Sequence, residues 1–227
     1  MLLDHNNIVI FSPPRSGTKL LSKILEDAGY HAHGEWFAPL TTKIENNKSI
    51  RRDIYLKEII SLSERQFKNL KDHIYRHELY KKLDKSVITI WPEHLSEYPF
   101  MLYEFADYHW CCVRRNPWEQ ILSYYISSKN SNFNGVKISQ PVTFNEPAFR
   151  KIYWNYHSAC SLQDWLVENR SATLIDFEEL IQGTSLVFGQ SYEIKSKDEH
   201  TNLESLVENL DHVKGWYDKY EQQRLKQ

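Results

Sequence analysis

The chain has 227 residues, 41% hydrophobic and 26% charged, with a formal net charge of −2. That is the make-up of an ordinary folded domain with room for a sizeable core, and the near-zero charge excludes a general electrostatic case for nucleic acid. Three cysteines, two of them adjacent (Cys111 and Cys112), supply no disulfide framework, and no apolar run approaches a membrane span.

Residues 6–12 are a continuous apolar run, the pattern of a parallel strand buried on both faces. The run ends in Pro13-Pro14. Arg15-Ser16-Gly17-Thr18-Lys19 follow, and a helix is predicted over 17–29, with Leu20, Leu21, Ile24, Leu25 and Ala28 at helical spacing and Gly29 at C′. Residues 30–40 read as a short strand and then a loop; His31, His33 and Glu35 share one face if extended. After a polar linker at 41–50, the charged stretch 52–82 has the periodicity of an inserted helical pair, a flank to the core.

The next strand is 86–91, ended by Pro92, and a helix over about 93–106 follows. Residues 108–114 are a buried strand on which neighbouring Cys111 and Cys112 face opposite ways as small core residues. Arg115-Asn116-Pro117 turns into a helix over about 118–129, with Pro117 in its first turn. The polar loop 130–145 is long enough for a lid or acceptor-binding segment. A long helix over 146–169 carries Phe149, Ile152, Tyr153, Tyr156, Cys160 and Trp165 as its buried stripe. A strand at 172–176, a short helix at 177–182 and irregular chain at 183–200 come next. Thr201-Asn202-Leu203-Glu204 is a capping box that opens a last helix to about 224. The alternation predicts an α/β fold, one domain over 1–227, with a central, mostly parallel sheet flanked by helices.

The strand, tight loop and helix at 8–21 aim backbone N–H groups and a helix N-terminus at an anion. Arg15 and Lys19 add positive charge, and Ser16 and Thr18 add hydroxyls. The loop matches the Walker pattern G-x-x-x-x-G-K-[ST] poorly: Ser12 stands where the first Gly belongs, and Thr18 separates Gly17 from Lys19. Asp176, at the end of an apolar run, is a candidate Walker-B-like carboxylate. The strand at 108–114 delivers Arg115 to the same sheet edge, where open α/β sheets bind ligands, with Ser123 two turns into the following helix. His31, His33 and Glu35 also admit a reading as metal ligands, but no fourth ligand accompanies them.

Pro-Arg-Ser-Gly-Thr after the first strand, with Arg-Asn-Pro and a Ser eight residues beyond its Arg, resembles the sulfotransferases that use 3′-phosphoadenosine-5′-phosphosulfate (PAPS). Leu174-Ile175-Asp176-Phe177-Glu178-Glu179-Leu180 extends the resemblance, which is closer to the compact bacterial and Golgi-type branches than to the cytosolic one. It implies a three-layer P-loop NTPase-like domain. The first loop (Arg15, Ser16, Gly17, Thr18 and Lys19) would hold the 5′-phosphosulfate, and Arg115 and Ser123 the 3′-phosphate. The sulfuryl group would pass to a hydroxyl, leaving 3′,5′-diphosphoadenosine (PAP), with no metal. Arg15 would then stabilise charge on the leaving oxygen.

Many members of that family place a Glu soon after the first helix, as Gly34-Glu35 does here, so Glu35 is the expected base, with His94 or Glu93 competing. The sequence departs from the family at Lys19, Leu20 and Phe177. The cytosolic members' C-terminal basic loop is missing; Lys195 and Lys197 are electrostatic substitutes and Tyr192 is the candidate adenine-stacking residue. The expected acceptor is a small molecule, saccharide or peptide, with no nucleic-acid or membrane partner. Met1–His5 lacks the basic and apolar regions of a signal peptide, so a cytoplasmic location is expected. Two alternatives stand beside this reading: a P-loop nucleoside or nucleotide kinase requiring Mg²⁺, and a catalytically silent nucleotide-binding relative.

Overall fold

The computed structural model describes residues 2–35, 85–97, 101–130, 141–183 and 202–226. The helical pair expected within 52–82, Tyr192, Lys195 and Lys197, and most of the loops at 130–145 and 183–200 lie outside them. Five strands are described: β1 (Asn7–Phe11), β2 (His31–Glu35), β3 (Ser86–Ile90), β4 (His109–Arg114) and β5 (Thr173–Asp176). They form one sheet in the order β2-β3-β1-β4-β5, and every pairing is parallel. The first strand is thus central, as it must be for its loop to sit in the middle of the carboxyl edge. The helices are α1 (Thr18–Asp27), α2 (Pro92–Glu97), α3 (Met101–Glu104), α4 (Pro117–Lys129), α5 (Glu146–Arg170), α6 (Phe177–Gln182) and α7 (Leu210–Arg224).

Period-two alternation sorts the strand side chains into two faces. Ile8, Ile10, Val87, Cys111, Val113 and Ile175 pack with Leu21 and Leu25 of α1 and Leu180 of α6. Val9, Phe11, Ile88, Ile90, Trp110 and Cys112 pack with Leu95, Met101, Phe105 and Leu166, from α2, α3, the turn after α3 and α5. The two cysteines lie on opposite faces as the sequence predicts. The result is a three-layer α/β architecture, a parallel sheet with helices on both faces. A further cluster joins α4, α5 and α7 through Ile121, Tyr125, Phe149, Tyr153, Val213 and Tyr220. Among the described residues no helix is long and apolar enough to cross a membrane.

Three local expectations are corrected. The helix expected over 93–106 is two short helices, α2 and α3. The last helix does not start at the predicted capping box. Asn202 caps a 3₁₀ turn, Leu203–Leu206, by accepting from the Glu204 N–H. Val207 then bridges Val142, and α7 begins only at Leu210. In α5, Trp165 is 40% exposed, and Leu166 takes the buried place. A helix of 25 residues packed first on one neighbour and then on another changes its buried face along its length, which a single stripe misses.

At their carboxyl ends β1 and β4 part, and two buried polar side chains close the gap. The Ser12 hydroxyl donates to Phe11 O (2.6 Å) and accepts from the Val113 N–H (2.7 Å). Gln163 Nε2 donates to Val113 O (3.0 Å) and to Phe11 O (3.4 Å). Ser12→Ala strips the partner from a buried N–H, a loss of about 1–3 kcal/mol. Chemical denaturation checks this: the midpoint falls with the slope unchanged, and an unmoved midpoint contradicts it.

Candidate active site

The chain leaves β1 through Pro13-Pro14 and enters α1 over a strained loop. Arg15 has φ 70°, a left-handed conformation for a residue with a side chain, of order 1–3 kcal/mol unfavourable. Gly17, the α1 N-cap, has φ 100°. Only glycine fits there: a Cβ would lie 2.3 Å from Phe177 Cδ2, the first residue of α6. The loop is pinned from several sides. Ser16 Oγ donates to Pro13 O (2.8 Å), and Gln120 Nε2 of α4 donates to Pro14 O (3.0 Å). Gly17 gives no side-chain hydrogen bond to the first turn of α1. Those N–H groups therefore point out of the N-terminus with the positive end of the helix dipole.

Three residues from separate stretches meet at this loop. Arg15 Nε donates to Ser123 Oγ at 3.1 Å, across 108 positions of sequence. Arg115 follows the last residue of β4, and its Nη1 reaches Arg15 O at 3.5 Å. Burial first, and then the Arg115 charge, lower the Arg15 guanidinium below its ordinary value. Arginine keeps its proton across any working pH.

The other side chains named from sequence are placed as follows. The Ser16 hydroxyl is turned inward to Pro13 O, which leaves that residue its backbone N–H for a ligand. Thr18 is buried and Lys19 exposed on the first turn of α1. The Arg115 fork is engaged: Nε and Nη2 both donate to Glu119 Oε2, at 3.3 and 2.9 Å, and the guanidinium lies 4.7 Å from the Phe177 ring centroid. Glu35 pairs in register with Thr89 on β3, and His94 lies in α2; the side chains of both fall outside the described residues, as does Tyr192. Asp176 lies on β5, two strands from β1. It ends the edge strand β5 and caps α6, accepting the N–H groups of Glu178 (2.8 Å) and Glu179 (3.4 Å). Among the described residues no group of three or more His, Cys, Asp and Glu side chains is placed to hold a metal ion.

Sequence reasoning missed four supports. Gln120 and Gln163 are buried glutamines whose amides hold Pro14 O and the ends of β1 and β4. Tyr156, read only as a core aromatic, donates its hydroxyl to Arg115 O at 2.9 Å. Glu119 competes for Arg115. The signal for the glutamines was available: each is a polar residue beside apolar neighbours on a helix face, at a place where a buried amide must find partners.

Glu119 is half exposed and Arg115 mostly buried, so their pair is worth about 0–1 kcal/mol. Glu119→Gln releases the Arg115 fork while keeping the backbone N–H that Asn116 accepts. Affinity for an anion at Arg115, probed with PAP as the ligand the sequence resemblance implies, should rise up to about fivefold, the equivalent of 1 kcal/mol, measured by calorimetry. A fall in affinity would show that Glu119 orients Arg115 instead of competing for it.

No protein-family model matches the chain, and no curated protein matches it. Among solved structures it is similar to shikimate kinase from Bacteroides thetaiotaomicron, with 10% sequence identity and a TM-score of 0.44 over 94% of this chain and 98% of that chain.

Proposed function

We propose that this chain is a PAPS-dependent sulfotransferase, moving a sulfuryl group to an acceptor hydroxyl in line and without a metal. The observation that supports it most is the convergence of Arg15, Ser123 and Arg115 at the carboxyl ends of β1 and β4. A donor bearing a 5′-phosphosulfate and a separate 3′-phosphate needs two cationic positions in one crevice. β4, the strand beside β1, ends in Arg114, and Arg115 follows it. Arg114 is spent on structure, held by Asp164 (2.8 Å) and Gln163 (3.2 Å); Arg115 is the one turned toward the loop.

In this reading the N–H groups of Ser16, Gly17, Thr18 and Lys19 hold the 5′-phosphate, and Arg115 with the Ser123 hydroxyl holds the 3′-phosphate. The acceptor oxygen forms its bond to sulfur as the bond from sulfur to the 5′-phosphate oxygen breaks, and that oxygen keeps the electron pair. Arg15 stabilises the charge growing there, the kind of contribution that dominates group transfer. The hydroxyl proton passes to a base: Glu35, His94 or Glu93. Of these, Glu93 is the one whose surroundings are described. It lies in the first turn of α2 and lines a cavity with Pro13 and Pro14.

The direct test is PAP release from PAPS over a panel of phenols, alcohols, saccharides and tyrosine peptides. Turnover is expected, and Arg15→Ala should slow it by about 10²–10³ with an unchanged circular dichroism spectrum. Equal turnover in Arg15→Ala contradicts the assignment. Phosphoryl transfer from ATP–Mg²⁺, with no response to PAPS, would replace it with a nucleotide kinase, and PAP binding without turnover would leave a silent relative.

A further inference from the structure

Beside the loop, on the side away from α1, lies a cavity of about 430 Å³. Its volume falls in the range of small-molecule sites, roughly 300–1,000 Å³. Pro13 and Pro14 form one wall, and Pro92 and Glu93 at the start of α2 another. The rest comes from one face of α4 and one face of α5. The cavity thus shares its wall with the anion loop: the two prolines face it, and the next residue is Arg15.

Its chemistry is unlike that of the loop. The walls are largely apolar, built from the prolines with Ile121, Ile152, Ala159 and Leu162. Among the described lining residues Glu93 carries the one formal charge, and it is negative. Tyr124 adds a phenol whose pKa is raised by burial and by the Glu93 charge, so it stays a neutral hydroxyl. Gln120 adds an amide fixed at one end to Pro14 O; its other end, Oε1, is buried and has no hydrogen-bond partner among the described residues. A buried acceptor of this kind costs about as much as a lost hydrogen bond until a donor reaches it.

We infer that this cavity is the acceptor site, and that the acceptor is a small neutral alcohol or phenol with an apolar body, not a saccharide or a peptide. The inference deepens the sulfotransferase reading by naming its second substrate class, but it rests on cavity geometry and charge that do not depend on the donor. The apolar walls bury the body of such a molecule, at roughly 25 cal/mol per Å² removed from water. Asn155, Tyr156 and Ser158 also belong to the lining, but a saccharide has more hydroxyls than these few polar groups can pair, and those left against the apolar walls disfavour it. Glu93 repels carboxylates and phosphates, so the anionic donor is confined to the arginine side and the neutral acceptor to this one. Glu93 is the carboxylate in this wall that could take the hydroxyl proton, and Pro13-Pro14 lead directly from the wall to Arg15.

The probe is 2-naphthol, which has an apolar body, one hydroxyl and its own fluorescence. It should bind the full chain saturably, with PAP present or absent, and maltose and a Gly-Tyr-Gly peptide should not displace it. Ser158 is an exposed residue of the cavity wall, so Ser158→Trp closes the cavity without disturbing the core. That variant should weaken 2-naphthol at least tenfold and leave PAP affinity within twofold. The anion 2-naphthoate should bind at least tenfold more weakly than 2-naphthol, and Glu93→Gln should narrow that gap.

The inference is overturned if maltose or the peptide binds in place of 2-naphthol. It is overturned equally if PAP displaces 2-naphthol, which would make the cavity the adenine pocket, or if Ser158→Trp binds 2-naphthol unchanged. Failure of the two readings is distinguishable. Binding of 2-naphthol lost in Ser158→Trp, in a chain that does not bind PAP, leaves the cavity assignment standing and removes the donor. PAP binding without any 2-naphthol binding does the reverse.

Discussion

The site depends on how two parallel strands are allowed to separate. β1 and β4 run in register through Phe11 and Cys112, and at the next step the ladder is completed by side chains. Ser12 Oγ takes the Val113 N–H, and Gln163 Nε2 takes the Val113 and Phe11 carbonyls. Both side chains are fully buried, where an unmet backbone group would be costly. The strands can therefore diverge without leaving orphaned polar groups. Their divergence is the crevice into which Pro13-Pro14 turns and onto which Arg115 opens.

From that point the loop is held by contacts that each remove one freedom. Gln120 fixes Pro14 O, Ser16 fixes Pro13 O, and Phe177 packs where Gly17 has no Cβ. The left-handed backbone at Arg15 survives because these contacts over-determine it. Tyr156 holds the carbonyl of Arg115 from α5. Arg15 and Arg115 are thus brought together by backbone constraints, with Arg115 Nη1 reaching the Arg15 carbonyl. α5 supports both halves of the proposed chemistry: Gln163 sets the strand ends, Tyr156 sets Arg115, and Ile152 and Ala159 shape the cavity.

The sheet was legible because its strands are short apolar runs with strong punctuation. Pro13-Pro14, Pro92 and Asn116-Pro117 fall at the ends of β1, β3 and β4, and Cys111 and Cys112 divide between the faces as period two requires. The loop was legible because Pro13-Pro14 ends the strand, a helical pattern follows at once, and two cations and two hydroxyls lie between them; the meeting of Arg15, Ser123 and Arg115 follows from the carboxyl edge of a parallel sheet. Other features were hidden for physical reasons. Ser12 looked like a missing glycine, but its role is a tertiary hydrogen bond to a strand that begins nearly a hundred residues later. Asp176 looked like a metal-binding carboxylate because a strand-end Asp and an N-cap Asp have the same sequence context. Glu119 was invisible as a competitor for Arg115, since an i, i+4 pair is read from sequence as helix support. Trp165 was misplaced because one periodic stripe cannot follow a helix that changes neighbours.

In the proposed function Arg15 and Arg115 form two anion positions in one crevice, the second specific for a 3′-phosphate. Calorimetric titration of PAP and of 5′-AMP, each into the native chain and into Arg115→Ala, isolates that second position. PAP should bind the native chain at least tenfold more tightly than 5′-AMP, and Arg115→Ala should remove most of this difference while 5′-AMP affinity changes little. Equal affinities for the two nucleotides in the native chain, or the same preference for PAP in native and Arg115→Ala chains, would contradict it.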